Sequence, residues 1–213
     1  MNKLLLLFAL AITSFSTAQT KALTEKGQEV LLFDNGTWKY QNDSISTKTD
    51  SLKINKKEFT KTTGATFLTK SKNFNVGVYI NPTKWTFAPH RDNETSPEYR
   101  YSLKSGNGFA MIITEGTQID LENLRQIALL NAQKASVDVV ETSAEYRIVN
   151  HKKILCLKFQ GTIKGIKFVY FGYYYSNNKG TVQLITYTSQ QSFILLEKEL
   201  ENFLNGLVEI NEP

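Results

Sequence analysis

From Phe59 onward the chain alternates between short β-prone runs, broken by Gly, Asn and Lys-Gly turns, and two longer stretches with helical spacing. Ala65 to Leu68, Phe74 to Ile80, Tyr99 to Leu103 and Gly108 to Thr114 are predicted strands, the last two joined through Lys104-Ser105-Gly106-Asn107. Asp120 is the expected N-cap of a helix to about Ala135, with Leu121, Leu124, Ala128, Ala132 and Ala135 on one face. Four strands follow, Val137 to Val149, Lys153 to Gly161, Ile166 to Tyr175 and Thr181 to Thr188. Their connections, Asn150-His151, Lys164-Gly165 and Asn177-Asn178-Lys179-Gly180, are short enough to dictate an antiparallel meander. The closing helix, Gln190 to about Asn205, sets Phe193, Leu196, Leu200, Phe203 and Leu207 in one stripe, with Gly206 as its stop and Glu199 on the opposite face. Two helices covering a mostly antiparallel sheet make an α+β layered fold.

The N-terminal region follows a different pattern. Met1 to Ala18 reads as a secretory signal: a basic start, the apolar run Leu4 to Ile12, and small Ser16 and Ala18 before a cut at Gln19. The only Cys is Cys156, so a lipid anchor at that cut is not expected. Val30 to Phe33 and Thr37 to Tyr40 flank Asp34-Asn35-Gly36, a strong hairpin signal because a type I′ turn needs positive φ at both central residues. Gln41 to Lys57 is polar and reads as a linker. The predicted organisation is thus a signal peptide over 1–18, a β-hairpin module over 19–40, a polar basic linker over 41–57 and a sandwich domain over 58–213.

Composition narrows the picture only a little. Removing 18 of 213 residues leaves 195, enough for one medium domain and a small appendage. A single Cys forbids an internal disulfide, so the core alone must hold an exported fold, and Cys156 in Ile154-Leu155-Cys156-Leu157 reads as a small buried hydrophobe. The net charge of +5 is modest but unevenly spread. Lys53 to Lys72 holds six lysines against the one acid Glu58, and the meander adds Lys152, Lys153, Lys158, Lys164 and Lys167 with no acid between them. The last helix carries Glu197, Glu199 and Glu201, so the molecule is expected to be electrostatically polar.

The order of strands, helix, four-strand meander and final helix over about 59–208 resembles the PsbP-like family of α/β/α sandwiches. Phe74-Asn75-Val76-Gly77-Val78-Tyr79-Ile80-Asn81-Pro82 followed by Trp85 is similar to that family's opening strand, and Tyr187-Thr188-Ser189 running into a helix ending Phe203-Leu204-Asn205-Gly206-Leu207 is similar to its close. The family includes accessory subunits of photosynthetic water oxidation and a nuclear-import factor that binds a small GTPase, so the resemblance implies binding or assembly rather than one chemistry. The stretch Gly27 to Tyr40 resembles a short Asp-x-Gly-Thr-Trp hairpin at the start of exported bacterial proteins.

Chemistry-bearing motifs are sparse. The chain has only His90 and His151, and the loop His90-Arg91-Asp92-Asn93-Glu94 is the one place where His and carboxylates alternate. It is read as a solvated connector or partner contact, with a hydrolase or metal enzyme as the third alternative. Phe168 to Tyr175 is crowded with aromatic residues: Phe168, Tyr170 and Tyr174 fall on one face and Phe171, Tyr173 and Tyr175 on the other. One set must be core; the other could form an apolar or sugar-stacking platform. The expected function is an exported, non-catalytic binding or assembly module for a protein or envelope component, with a carrier of a small apolar or sugar ligand as the alternative. Candidate binding residues are Trp38, Tyr40, Trp85, His90, Arg91, Asp92, Tyr173, Tyr175 and Lys158. No catalytic or metal-ligating residue and no cofactor is expected, and export makes nucleic acid an unsuitable partner.

Overall fold

The computed structural model describes residues 20–24, 29–33, 38–40, 52–89 and 97–210. They fall into two compact units, the first three segments in one and the last two in the other. The signal-like segment and the loop at His90, Arg91 and Asp92 lie outside the described residues.

The N-terminal unit is an antiparallel meander of β1 (Thr20–Leu23), β2 (Glu29–Leu32) and β3 (Trp38–Tyr40). The register Leu32↔Trp38 pairs the two strands expected from the sequence, and their connection at 34–37 lies outside the described residues. β1 is an additional strand, paired with β2 from Thr20↔Leu32 to Leu23↔Glu29.

The second unit is built on an eight-stranded mixed sheet. In chain order its first elements are β4 (Ile54–Phe59), β5 (Phe67–Lys70), β6 (Val76–Ile80), β7 (Trp85–Pro89), β8 (Tyr99–Leu103) and β9 (Phe109–Glu115). After these come α1 (Leu121–Ala135), β10 (Val140–Val149), β11 (Lys152–Ile163), β12 (Ile166–Asn177), β13 (Gly180–Ser189), α2 (Gln190–Leu204) and β14 (Leu207–Glu209). The large sheet has the order β4-β10-β11-β12-β13-β9-β8-β7, and β14-β6-β5 form a small second sheet. All pairs are antiparallel except β4 on β10. Two-residue turns close the meander at Asn150-His151 and Lys164-Gly165, all four residues at positive φ, which matches the right-handed strand twist.

Alternation along the meander produces two cores. Leu155, Leu157, Phe159, Tyr174 and Ile185 meet Leu124 and Ala128 of α1 on one face. Ile154, Cys156, Phe171, Tyr173 and Leu184 meet Leu200, Phe203 and Leu204 of α2 on the other, where Val76, Val78, Ile80 and Leu207 of the small sheet close the same cluster. Both helix stripes are therefore largely where their spacing placed them, with Ala135 exposed at the end of α1. Asp120 stands at the N-cap of α1 but its carboxylate makes no capping bond, whereas the Ser189 hydroxyl accepts from the Ser192 N–H at 3.2 Å and caps α2.

Beyond strand ends that move by two or three residues, such as the start of β10 at Val140 rather than Val137, three features differ from the sequence pattern. The final four residues of the expected linker, Ile54 to Lys57, belong to β4. Trp85–Pro89 is an edge strand rather than part of a polar loop. Leu207 leaves the helix stripe for β14, and Gly206 is required for a close approach: a Cβ there would lie 2.1 Å from the Tyr79 carbonyl oxygen. No helix among the described residues is long and apolar enough to cross a membrane.

Candidate functional site

A cleft of about 190 Å³ opens where the β6–β7 turn meets the C-terminal half of α2. Asn81-Pro82 begins the turn, the residue before proline being held extended. The Asn81 carbonyl accepts from the Lys84 and Trp85 N–H groups at 3.1 and 2.9 Å, and its side-chain oxygen accepts from the Thr83 N–H at 3.0 Å and hydroxyl at 2.7 Å. This Asx turn fixes Lys84 and Trp85 opposite α2. The indole of Trp85 is buried, 4.3 Å from the Phe203 ring, and its Nε1–H donates to Glu199 Oε1 at 3.0 Å. Lys84 Nζ donates to the other carboxylate oxygen at 2.5 Å. Thr62, Gly64 and Ala65 from the segment after β4, with Tyr79 and Asn202, complete the lining. The Asn81 amide nitrogen and the Asn202 amide make no hydrogen bond among the described residues, so two neutral polar groups line a partly aromatic cleft.

Glu199 is thus not on a free helix face. It lies four residues before Phe203, on the same stripe, and that spacing is visible in the sequence. Glu199→Ala is expected to cost about 1–3 kcal/mol, because it leaves the buried indole N–H unpaired. Glu199→Gln, which keeps an acceptor, should lose less, and urea denaturation midpoints for the two variants check this.

A second polar cluster is closed. Arg147 on β10 is buried, bonded to Glu145 at 2.5 Å, Glu201 at 2.8 Å and the Tyr173 hydroxyl at 3.0 Å, with its guanidinium 4.4 Å from the Phe59 ring centroid. The Tyr173 hydroxyl in turn donates to Asn205 Oδ1 at 2.9 Å. Burial would raise the Glu201 carboxyl, but Lys198 and Arg147 outweigh it and hold the pKa below its ordinary value. The Cys156 thiol beside this cluster is pushed up to about 12, chiefly by burial, so it is neutral and not a nucleophile near pH 7.

The other expected site residues are dispersed. Tyr173 is fully buried, and Tyr175 is half-buried against Phe74, the ring centroids 6.4 Å apart. Tyr173 and, in part, Tyr175 belong to the core on the α2 face, so no open platform forms there. The half-exposed aromatics are instead Phe109, Tyr187 and Tyr170, a cross-strand ladder with centroids 5.5 and 6.2 Å apart. Lys158 pairs with Glu197 at 2.5 Å. Tyr40 is exposed in the N-terminal unit. Four ion pairs, Lys158–Glu197, Lys84–Glu199, Arg147–Glu201 and Lys152–Glu209, join basic side chains to the acidic C-terminal segment. No group of three or more His, Cys, Asp or Glu side chains placed to hold a metal ion occurs among the described residues.

No family model matches the chain, and no curated protein is similar to it. Among solved structures the fold is similar to cyanobacterial PsbP (CyanoP) from Synechocystis, with a TM-score of 0.50 at 8% identity over 67% of this chain and 91% of that one. A protein of unknown function from Pseudomonas aeruginosa gives a TM-score of 0.44 at 11% identity, covering 69% of this chain and 97% of its own. A Bacteroides thetaiotaomicron structure gives 0.43 at 10% identity, covering 70% and 50%. At these identities the first likeness is one of fold alone: α+β, two helices and a mostly antiparallel mixed sheet.

Proposed function

We propose that this chain is an exported, non-catalytic binding or assembly module whose sandwich seats a protein partner at the Trp85–Glu199 cleft. The supporting observation is the size of that cleft together with its lining. About 190 Å³ is well below the roughly 300–1,000 Å³ of small-molecule sites but suits one anchoring side chain. The Asn81 and Asn202 amides are suited to hydrogen-bond an amide or backbone group beside that anchor, and the Lys84–Glu199 pair sets its orientation. Export rests on the signal pattern of Met1 to Ala18. A carrier of a small apolar or sugar ligand would have to use the half-exposed Phe109–Tyr187–Tyr170 ladder, because Tyr173 is buried and Tyr175 half-buried.

Site-specific photo-crosslinking checks the reading. A photoreactive residue at Thr62 or Asn202, introduced into the protein in its native envelope fraction, is expected to give one defined protein adduct. The same probe at exposed Lys179 should not give it. Absence of an adduct from the cleft positions, or identical adducts from all three, would sink the proposal.

A further inference from the structure

Apart from Ile54 on β4, the large apolar side chains of the sandwich that are more than half exposed are concentrated around one end. Val137 is 94% exposed, Leu195 85%, Ile194 77%, Val140 58% and Ile166 53%. Topology brings their elements together. Val140 opposes Gln160 near the end of β11, Ile163 opposes Ile166 across the β11–β12 turn, and Phe168 opposes Ser189, from which α2 departs. The α1–β10 connection is tied to the same end by the Thr162 N–H donating to Asp138 Oδ1 at 2.9 Å. Ile194 and Leu195 follow within two turns of the α2 start, about 6–8 Å along its axis.

Around these side chains stand Lys134, Lys164 and Lys167, all exposed. Lys164 and Lys167 have no ion-pair partner among the described residues, in contrast to Lys84, Lys152 and Lys158 elsewhere in the sandwich. Asp138 is the carboxylate on the α1–β10 connection, and it is held by the Ser136 hydroxyl and the Thr162 N–H.

We infer that this end of the sandwich docks on an anionic lipid bilayer, its apolar side chains entering the interface and its lysines meeting acidic headgroups. The side chains come from the α1–β10 connection, the first residues of β10 and β12 and the second turn of α2, a dispersed arrangement that suits a deformable apolar phase. Their spread along α2 matches the roughly 5–10 Å depth to which interfacial segments penetrate. Long lysine stems can lie along the same apolar surface with their ammonium groups at headgroup level. The cleft at the C-terminal half of α2 is a different surface, so this inference goes beyond the partner-binding reading and does not depend on it.

The test is sedimentation of the full chain, without its signal segment, on phosphatidylcholine vesicles with and without phosphatidylglycerol. Binding to the anionic vesicles alone is expected. Lys164→Gln with Lys167→Gln should weaken it about thirtyfold. Ile194→Ser with Leu195→Ser should weaken it by a similar factor. Phe67→Ser, on the small sheet, should leave it unchanged, and the variants at Lys164, Lys167, Ile194 and Leu195 should keep the parent melting temperature because those side chains are exposed. No binding to anionic vesicles overturns the inference. So does binding that survives both double substitutions, which would assign it to the basic N-terminal segment. A lipid-free dimer split by Ile194→Ser with Leu195→Ser would assign the surface to a second copy instead.

Discussion

Replacing Arg147 with methionine is expected to lower the stability of the sandwich by about 3–5 kcal/mol, the cost of removing one partner from a buried ion pair. The guanidinium joins Glu145, Glu201 and the Tyr173 hydroxyl, so its loss strands two partly buried carboxylates and one buried phenol. Because Tyr173 also holds Asn205, the damage should extend to the end of α2 and to β14. The pH dependence gives a specific check. The folded Glu201 carboxyl lies below its ordinary value of 4.5, so its contribution is complete above that pH and is lost as pH falls through the lower folded value. Without Arg147 that depression shrinks, and the stability gap between parent and variant should narrow on acidification below about pH 4. A gap constant from pH 7 to pH 3 would show that the pair contributes little.

Phe203→Ala should be comparably severe, about 3–5 kcal/mol, as for other buried phenylalanines. The ring packs 4.3 Å from Trp85 and 5.0 Å from Tyr101, measured between centroids, and forms part of the cleft lining. Its removal therefore enlarges the proposed anchor site as well as the core. The denaturation midpoint should fall with an unchanged slope. The Asn202 crosslink described above should weaken in the same variant, because the enlarged cleft no longer fits one side chain. A midpoint equal to that of the parent would contradict the packing assigned to α2.

The meander and both helices were legible because their signals are local: alternation on a strand, a three- and four-residue stripe on a helix, and turns such as Lys164-Gly165 that require positive φ. What the pattern obscured were the edges. β4, Ile54-Asn55-Lys56-Lys57-Glu58-Phe59, exposes nearly every side chain and reads as linker. β7 ends in Pro89 and buries only Trp85. The site was legible in part. Trp85 was visible as a candidate binding residue, but its partner depends on how α2 crosses the β6–β7 turn, a tertiary fact. Arg147 carried a readable hint, two residues before buried Val149 on the same strand face, but of its partners only Glu145 is local, and Tyr173 and Glu201 come from β12 and α2.

The parallel pairing of β4 with β10 bears on the order of assembly. Asn55 and Glu145, whose side chains are 3.4 Å apart across this pair, are separated by 90 residues. No hairpin can bring such strands together, so the loop must close before the contact contributes, and this pairing is a late event in a chain emerging N-terminus first. In the interval β4 waits as a single strand with both edges open. Lys56 and Lys57 give it the charge that discourages wrong pairing. The lysines that disguise the strand as linker are the ones that keep it available until β10 has formed.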